Sequence, residues 1–111
     1  MYNVYLISCG EGEDKKYKIG YTKNEVSHRL KQLKTGNSQD LLIEKVFKSK
    51  WGTKLESILH RQYKSQNVSG EWFTLNQNQV DNFVNECQRL EIFLKEIMLN
   101  STFKNPKTIL R

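Results

Sequence analysis

The sequence predicts an α+β fold, a small sheet with helices packed against it, and three observations carry that prediction. Two β-branched and aromatic runs near the N-terminus, YNVYLIS and KYKIGY, are separated by turn material, CGEGEDK. A third such run, LLIEKVFKS, follows at residues 41–49. The segments around and after it keep a helical spacing of apolar residues.

The elements follow in order. Residues 2–8 read as a strand, residues 9–15 as a turn centred on Gly10-Glu11-Gly12, and residues 16–21 as a second strand. Asn24 can cap a helix over about 25–34, with Val26, Leu30 and Leu33 on one face and Gly36 past its end. After the third strand, a helix over 51–65 carries Trp51, Leu55, Ile58, Leu59 and Tyr63 as its apolar stripe. WFTL, residues 72–75, is a short extended piece. A last long helix starts near Gln77, with Val80, Phe83, Val84, Cys87, Leu90, Leu94, Ile97 and Met98 in step. The order is β-β-α-β-α-(β)-α. The predicted organisation is a core over 1–76, a helix over 77–99 packed on it, and a basic tail over 100–111, frayed or in contact with a partner.

With 111 residues the chain suits one domain with one modest core. Hydrophobic residues make up 37% and charged residues 27%, as in a globular protein in water. No apolar run approaches the roughly 20 residues of a membrane helix. The N-terminus lacks the basic region and cleavage site of a signal peptide and reads as the first strand. Cys9 and Cys87 match no ligand spacing, so free thiols in a reducing cytosol are expected. The net charge of +6 is uneven: residues 15–64 hold 13 Lys and Arg against 4 Asp and Glu. That is either a solvated lysine-rich surface or a phosphate-facing side, and charge alone leaves both open.

Alternation along the first hairpin puts Val4, Leu6, Tyr17 and Ile19 on one face as core. The other face carries Tyr5, Lys18 and Gly20, with Tyr5 expected roughly opposite Lys18. A cation beside a phenol favours the phenolate, and a glycine lets a phosphate approach the backbone. The plainer alternative is a half-buried tyrosine with a lysine reaching into water. Arg29, at the border of the buried face of the first helix, can clamp a phosphate or simply be exposed. Glu56 and His60, four apart on one helix, are neighbours on its surface. Glu56 is the only acid between Glu44 and Glu71. One carboxylate in basic surroundings suits Mg²⁺ held also by water and phosphate. A surface Glu–His pair is the alternative. Cys9, His28, His60 and Cys87 are too scattered for a zinc site.

Several short motifs then fall in order. They are Asn3-Val4-Tyr5, Tyr17-Lys18-Ile19-Gly20-Tyr21-Thr22, Arg29-Leu30, Glu56-Ser57-Ile58-Leu59-His60 and Gly70-Glu71-Trp72-Phe73. Together they resemble the GIY-YIG nuclease superfamily, in its phage and large-virus branch with Y-K-I-G-x-T, E-x-x-L-H and G-E-W-F, over about residues 2–75. The resemblance implies a three-stranded antiparallel sheet flanked by helices, here with an added C-terminal helix. It implies one divalent metal, Mg²⁺ or Mn²⁺, and phosphodiester hydrolysis. Tyr5 takes the place of the first signature's tyrosine, Arg29 of the helix arginine and Glu56 of the metal-binding glutamate. Lys18 stands where the second signature has tyrosine, as in some restriction enzymes of the superfamily. Asn3 replaces a glycine, and a late asparagine has no clear counterpart, Glu71 standing near its place.

The resulting expectation is a metal-dependent endonuclease with Tyr5, Lys18, Arg29, Tyr21 and His60 as catalytic candidates and Glu56 on the metal. Its partner would be nucleic acid, DNA ahead of RNA, with no membrane involved and the protein a monomer or weak dimer. The setting would be the cytoplasm of a bacterium or of a phage- or virus-infected host cell. The rival expectation is a DNA-binding or protein-interaction module that keeps the fold without cutting.

Overall fold

A computed structural model describes residues 1–34 and 40–104, with side chains as far as Leu99. The helix stop at Gly36 and the tail from 105 onward lie outside the described residues. Strand β1 spans Tyr2–Cys9, β2 Lys16–Thr22, β3 Leu41–Ser49, β4 Asn67–Ser69 and β5 Trp72–Phe73. The helices are α1, Val26–Lys34, α2, Gly52–Gln62, α3, Gln77–Asp81, and α4, Phe83–Lys104.

The α+β class holds, but the sheet has five antiparallel strands, not three, in the order β3-β1-β2-β5-β4. The expected three form its centre. The additions escape sequence reading because β4 has three exposed residues and β5 only two, too few for any period to register.

Gly10, at φ 88°, and a 3₁₀ turn over Gly12–Asp14 join β1 to β2. That turn moves the centre of the hairpin one residue along, and the pairing shifts by two. Tyr5 therefore faces Gly20, and Lys18 faces Ile7, in place of the expected Tyr5–Lys18 pair. A shift of two keeps every side chain on its expected face.

Both faces of the sheet are covered. On one, Val4, Leu6, Tyr17 and Ile19 pack with Leu55 and Leu59 of α2 and with Val80, Phe83 and Cys87 of α3 and α4. On the other, Tyr5, Ile7, Cys9 and Leu41 pack with Val26 of α1, backed by Leu30 and Leu33. Cys9 and Cys87 thus belong to different cores, and burial pushes the Cys87 thiol up to about 12.

Three helix boundaries differ from the sequence reading. The Glu25 carbonyl, not the Asn24 side chain, takes the first bonds of α1, from the N–H groups of His28 and Arg29. Asn24 instead offers its carbonyl to Asn3 Nδ2 at 2.8 Å. α2 ends at Gln62, and Lys64–Gln66 forms a separate 3₁₀ turn. The expected single helix from Gln77 is two. Asn76 and Gln79 form a reciprocal capping box at the start of α3, and the helix is interrupted at Asn82 before α4. Asparagine competes for backbone hydrogen bonds and is a poor interior helix residue, which suits it to the interruption. α4 continues through Lys104, so the expected tail is helical over its first residues. Among the described residues no helix is long and apolar enough to cross a membrane.

Candidate active site

β5 pairs with β2 only at Tyr17 and Lys18. Just beyond, the Ile19 N–H donates to the Glu71 carbonyl at 3.2 Å. The Ile19 carbonyl accepts from His60 Nε2 at 2.8 Å, so Nε2 carries the ring hydrogen. At Gly20 and Tyr21 no strand among the described residues lies beside this edge of β2. Side chains from both faces of the sheet meet at this opening.

Tyr5 arrives from the face covered by α1. Its ring lies across Gly20, where any Cβ would overlap the phenol oxygen. The missing side chain therefore makes room for Tyr5, not for a substrate phosphate as its sequence position suggested. Tyr5 is 1% exposed, lines the hollow, and accepts a hydrogen bond at its hydroxyl from Arg29 Nε at 3.3 Å. That bond, with smaller help from the charge of Glu71, holds the Arg29 guanidinium above its ordinary value.

Glu56 arrives from the other face, beside the buried Leu55 of α2. Burial pushes its carboxyl above the usual range. His60 and Lys18 pull it back, and the charge of Glu71 pushes it further up. His60 Nε2 lies 3.5 Å from Glu56 Oε2 while favouring the Ile19 carbonyl, so Glu56 is only loosely held. Glu71 sits in the Gly70-Glu71 turn between β4 and β5, with Gly70 at φ 55°.

Tyr5, Tyr21, Arg29, Glu56 and Glu71 line one hollow of about 220 Å³. Of the predicted site residues, Tyr5, Arg29, Tyr21 and Glu56 are brought together there. Lys18 and His60 stand behind it. Lys18 is 8% exposed, donates from Nζ to Glu71 Oε1 at 2.7 Å and lies 5.8 Å from the Trp72 ring centre. Its ammonium is thus taken up by Glu71. Glu71 is the residue that sequence reasoning left out of the site. Its signal was its position in the G-E-W-F run, in a tight turn directly before the strand that abuts Lys18. A larger hollow of about 620 Å³ lies near Ser8, Lys34 and Leu41 and shares no residue with this cluster.

Among the described residues no three His, Cys, Asp or Glu side chains group as a ready-made metal cage. The hollow does offer a half-buried carboxylate, Glu56, whose neighbours leave its charge poorly compensated, with a second carboxylate in the same wall. That donor set fits a hard cation that keeps several waters, as Mg²⁺ does, and not a closed zinc site.

The fold and site define a small α+β domain with a charged hollow at an open sheet edge. The T5orf172 domain family matches residues 3–88, and the chain belongs to that family, a phage-associated domain related to GIY-YIG-like nuclease folds. No curated protein and no solved structure matches it.

Proposed function

We propose that the chain is a Mg²⁺- or Mn²⁺-dependent endonuclease of GIY-YIG type, acting on nucleic acid and on DNA ahead of RNA. One observation carries the reading: Tyr5, Arg29 and Glu56, from three separate elements, share one small hollow with Glu71 and Tyr21. Membership of the T5orf172 family supports it.

Glu56 would hold the ion, with Glu71 in reach of its hydration shell. When bound, the ion supplies Lewis-acid polarisation of the phosphoryl oxygens. The chain's own residues do the rest. Arg29 fixes the Tyr5 hydroxyl through its Nε–H and donates from Nη1 to Gln32 Oε1 at 3.3 Å, and the positive charge of the guanidinium so held would neutralise charge growing on the phosphoryl oxygens. The phenol, fixed in the wall of the hollow, would position the attacking water by hydrogen bonding. Lys18 acts through Glu71, holding that carboxylate in place. His60 braces the β2 edge at Ile19 and steadies Glu56. The basic surface between Lys15 and Lys64 would carry the nucleic-acid backbone.

The test is a cleavage panel on linear, nicked, forked and single-stranded substrates, with Mg²⁺ or with chelator, comparing wild type, Glu56→Ala and Tyr5→Phe. Metal-dependent cutting that both variants lose is the expected result. Cutting that survives Glu56→Ala removes the assigned ion site. Tight binding without metal-dependent cutting by the wild type would mark a binding module on the same fold.

A further inference from the structure

The lip of the hollow carries a feature that phosphate chemistry does not use. Tyr21 lines the hollow and is 41% exposed. It pairs with Val4 across the hairpin, so its ring rises on the face covered by α2. There it meets Tyr2 edge to face, with ring centres 5.6 Å apart and planes at 82°. Tyr2 is seated on the first turn of α2, where a Cβ at Gly52 would overlap it. Lys23 Nζ lies 5.3 Å from the Tyr2 ring centre. An edge-to-face contact steadies the Tyr21 ring and occupies at most one of its faces.

We propose that Tyr21, braced by Tyr2 and flanked by Lys23, is a stacking platform for an unpaired nucleobase next to the hollow. The proposal rests on the nuclease reading for its phosphate, and it deepens that reading by naming the substrate class. A strand with a phosphate in the hollow carries its base alongside, within reach of the Tyr21 face, and Lys23 supplies a cation for the neighbouring phosphate. A base inside a duplex is stacked on both sides and cannot turn to the ring. The substrate is therefore single-stranded, flapped or locally unpaired nucleic acid, recognised by stacking and charge and not by base edges.

The experiment uses Glu56→Gln as background so that bound oligonucleotides stay whole. Affinity is measured by fluorescence anisotropy on a short single strand, and on the same strand with an abasic site at each position in turn. Adding Tyr21→Ala weakens binding to the intact strand by about 5- to 150-fold. Tyr21→Phe, which keeps the ring, binds as the background does. One abasic position reproduces the loss in the background protein and adds nothing to Tyr21→Ala. Lys23→Met flattens the salt dependence by about 0.7 log units per log unit of salt, the share of one single-strand phosphate. An unchanged affinity for Tyr21→Ala overturns the platform, and so does an equal loss in Tyr21→Phe, which would mark the hydroxyl as a phosphate contact. Circular dichroism confirms that each variant is folded. Wild-type cleavage with Mg²⁺ is read in parallel. Cleavage without the abasic pattern overturns the platform alone, and the abasic pattern without cleavage overturns the nuclease reading alone. No binding by any form overturns both.

Discussion

Glu56 and Glu86 are both helix residues, and their side chains are covered to nearly the same degree, with 17% and 14% left exposed. Their carboxyls move in opposite directions. Glu86 is held below the usual range, first by its hydrogen bonds from Arg89 at 3.1 and 2.6 Å and then by one from Gln62 at 2.6 Å. Glu56 is pushed above it by burial, because its one ion-pair neighbour among the described residues, His60 at 3.5 Å, is engaged elsewhere. Burial is common to the two acids, and partners are not. An acid neutralised by its own chain belongs to the architecture. An acid buried without that neutralisation is held at a cost to stability, and the hollow is where this chain bears it.

Substitutions at the two positions test that contrast. The largest effect is on turnover. Glu56→Gln lowers metal-dependent cleavage by roughly 10³-fold or more, the scale of several kcal/mol of lost Lewis-acid stabilisation, while Glu86→Gln leaves it unchanged. Initial rates on the best-cut substrate of the cleavage panel measure both, and equal losses would dissolve the distinction. Next is the response to a divalent ion alone. At ten times the dissociation constant the wild type and Glu86→Gln gain about 1.4 kcal/mol of stability in Mg²⁺, and Glu56→Gln gains none. Thermal melts with and without the ion decide this.

The pH dependence is smaller, and its sign differs between the two. Because the folded pKa of Glu56 is raised, the stability it contributes is present below the unfolded carboxyl value and is lost as pH rises through the folded one. Glu56→Gln is therefore more stable than wild type at neutral pH, with a margin that closes on acidification. Because the folded pKa of Glu86 is lowered, its contribution is present above the unfolded value and is lost as pH falls through the folded one. Glu86→Gln is modestly less stable at neutral pH, and its deficit closes in acid. Urea unfolding at several pH values separates the two curves. The smallest effect is indirect. Glu71→Gln removes a negative neighbour, so the titration midpoint of Glu56 moves down, as NMR of its carboxyl carbon would register.

The parts of the molecule legible from sequence are those where one local pattern decides. β3 was read with its observed limits, since LLIEKVFKS is a continuous run of strand formers. β1, β2 and α2 were found within a few residues at each end. Tyr5, Arg29 and Glu56 were singled out because motif order carries information that a single residue does not, and they share the hollow. The misses needed distance information. Lys18 faces Ile7 because a three-residue 3₁₀ turn reset the hairpin, which glycine positions alone do not encode. Gly20 was read as space for a ligand, whereas a ring fifteen residues earlier fills it. Glu71 entered the site only through the fold, which brings a tight turn against Lys18. Asn82 sits inside an unbroken apolar period, so the break between α3 and α4 has no signature in spacing.

The turn at Gly70-Glu71 sets where the sheet stops being continuous. Continued backward along β2, the β5 strand would lay residues 70 and 69 beside Gly20 and Tyr21, but the chain reverses direction there instead. The hollow thus lies at an unfinished seam. A hairpin lengthened by two residues on each arm would zip that seam shut, adding ladder hydrogen bonds and leaving a sturdier domain with no hollow to fill.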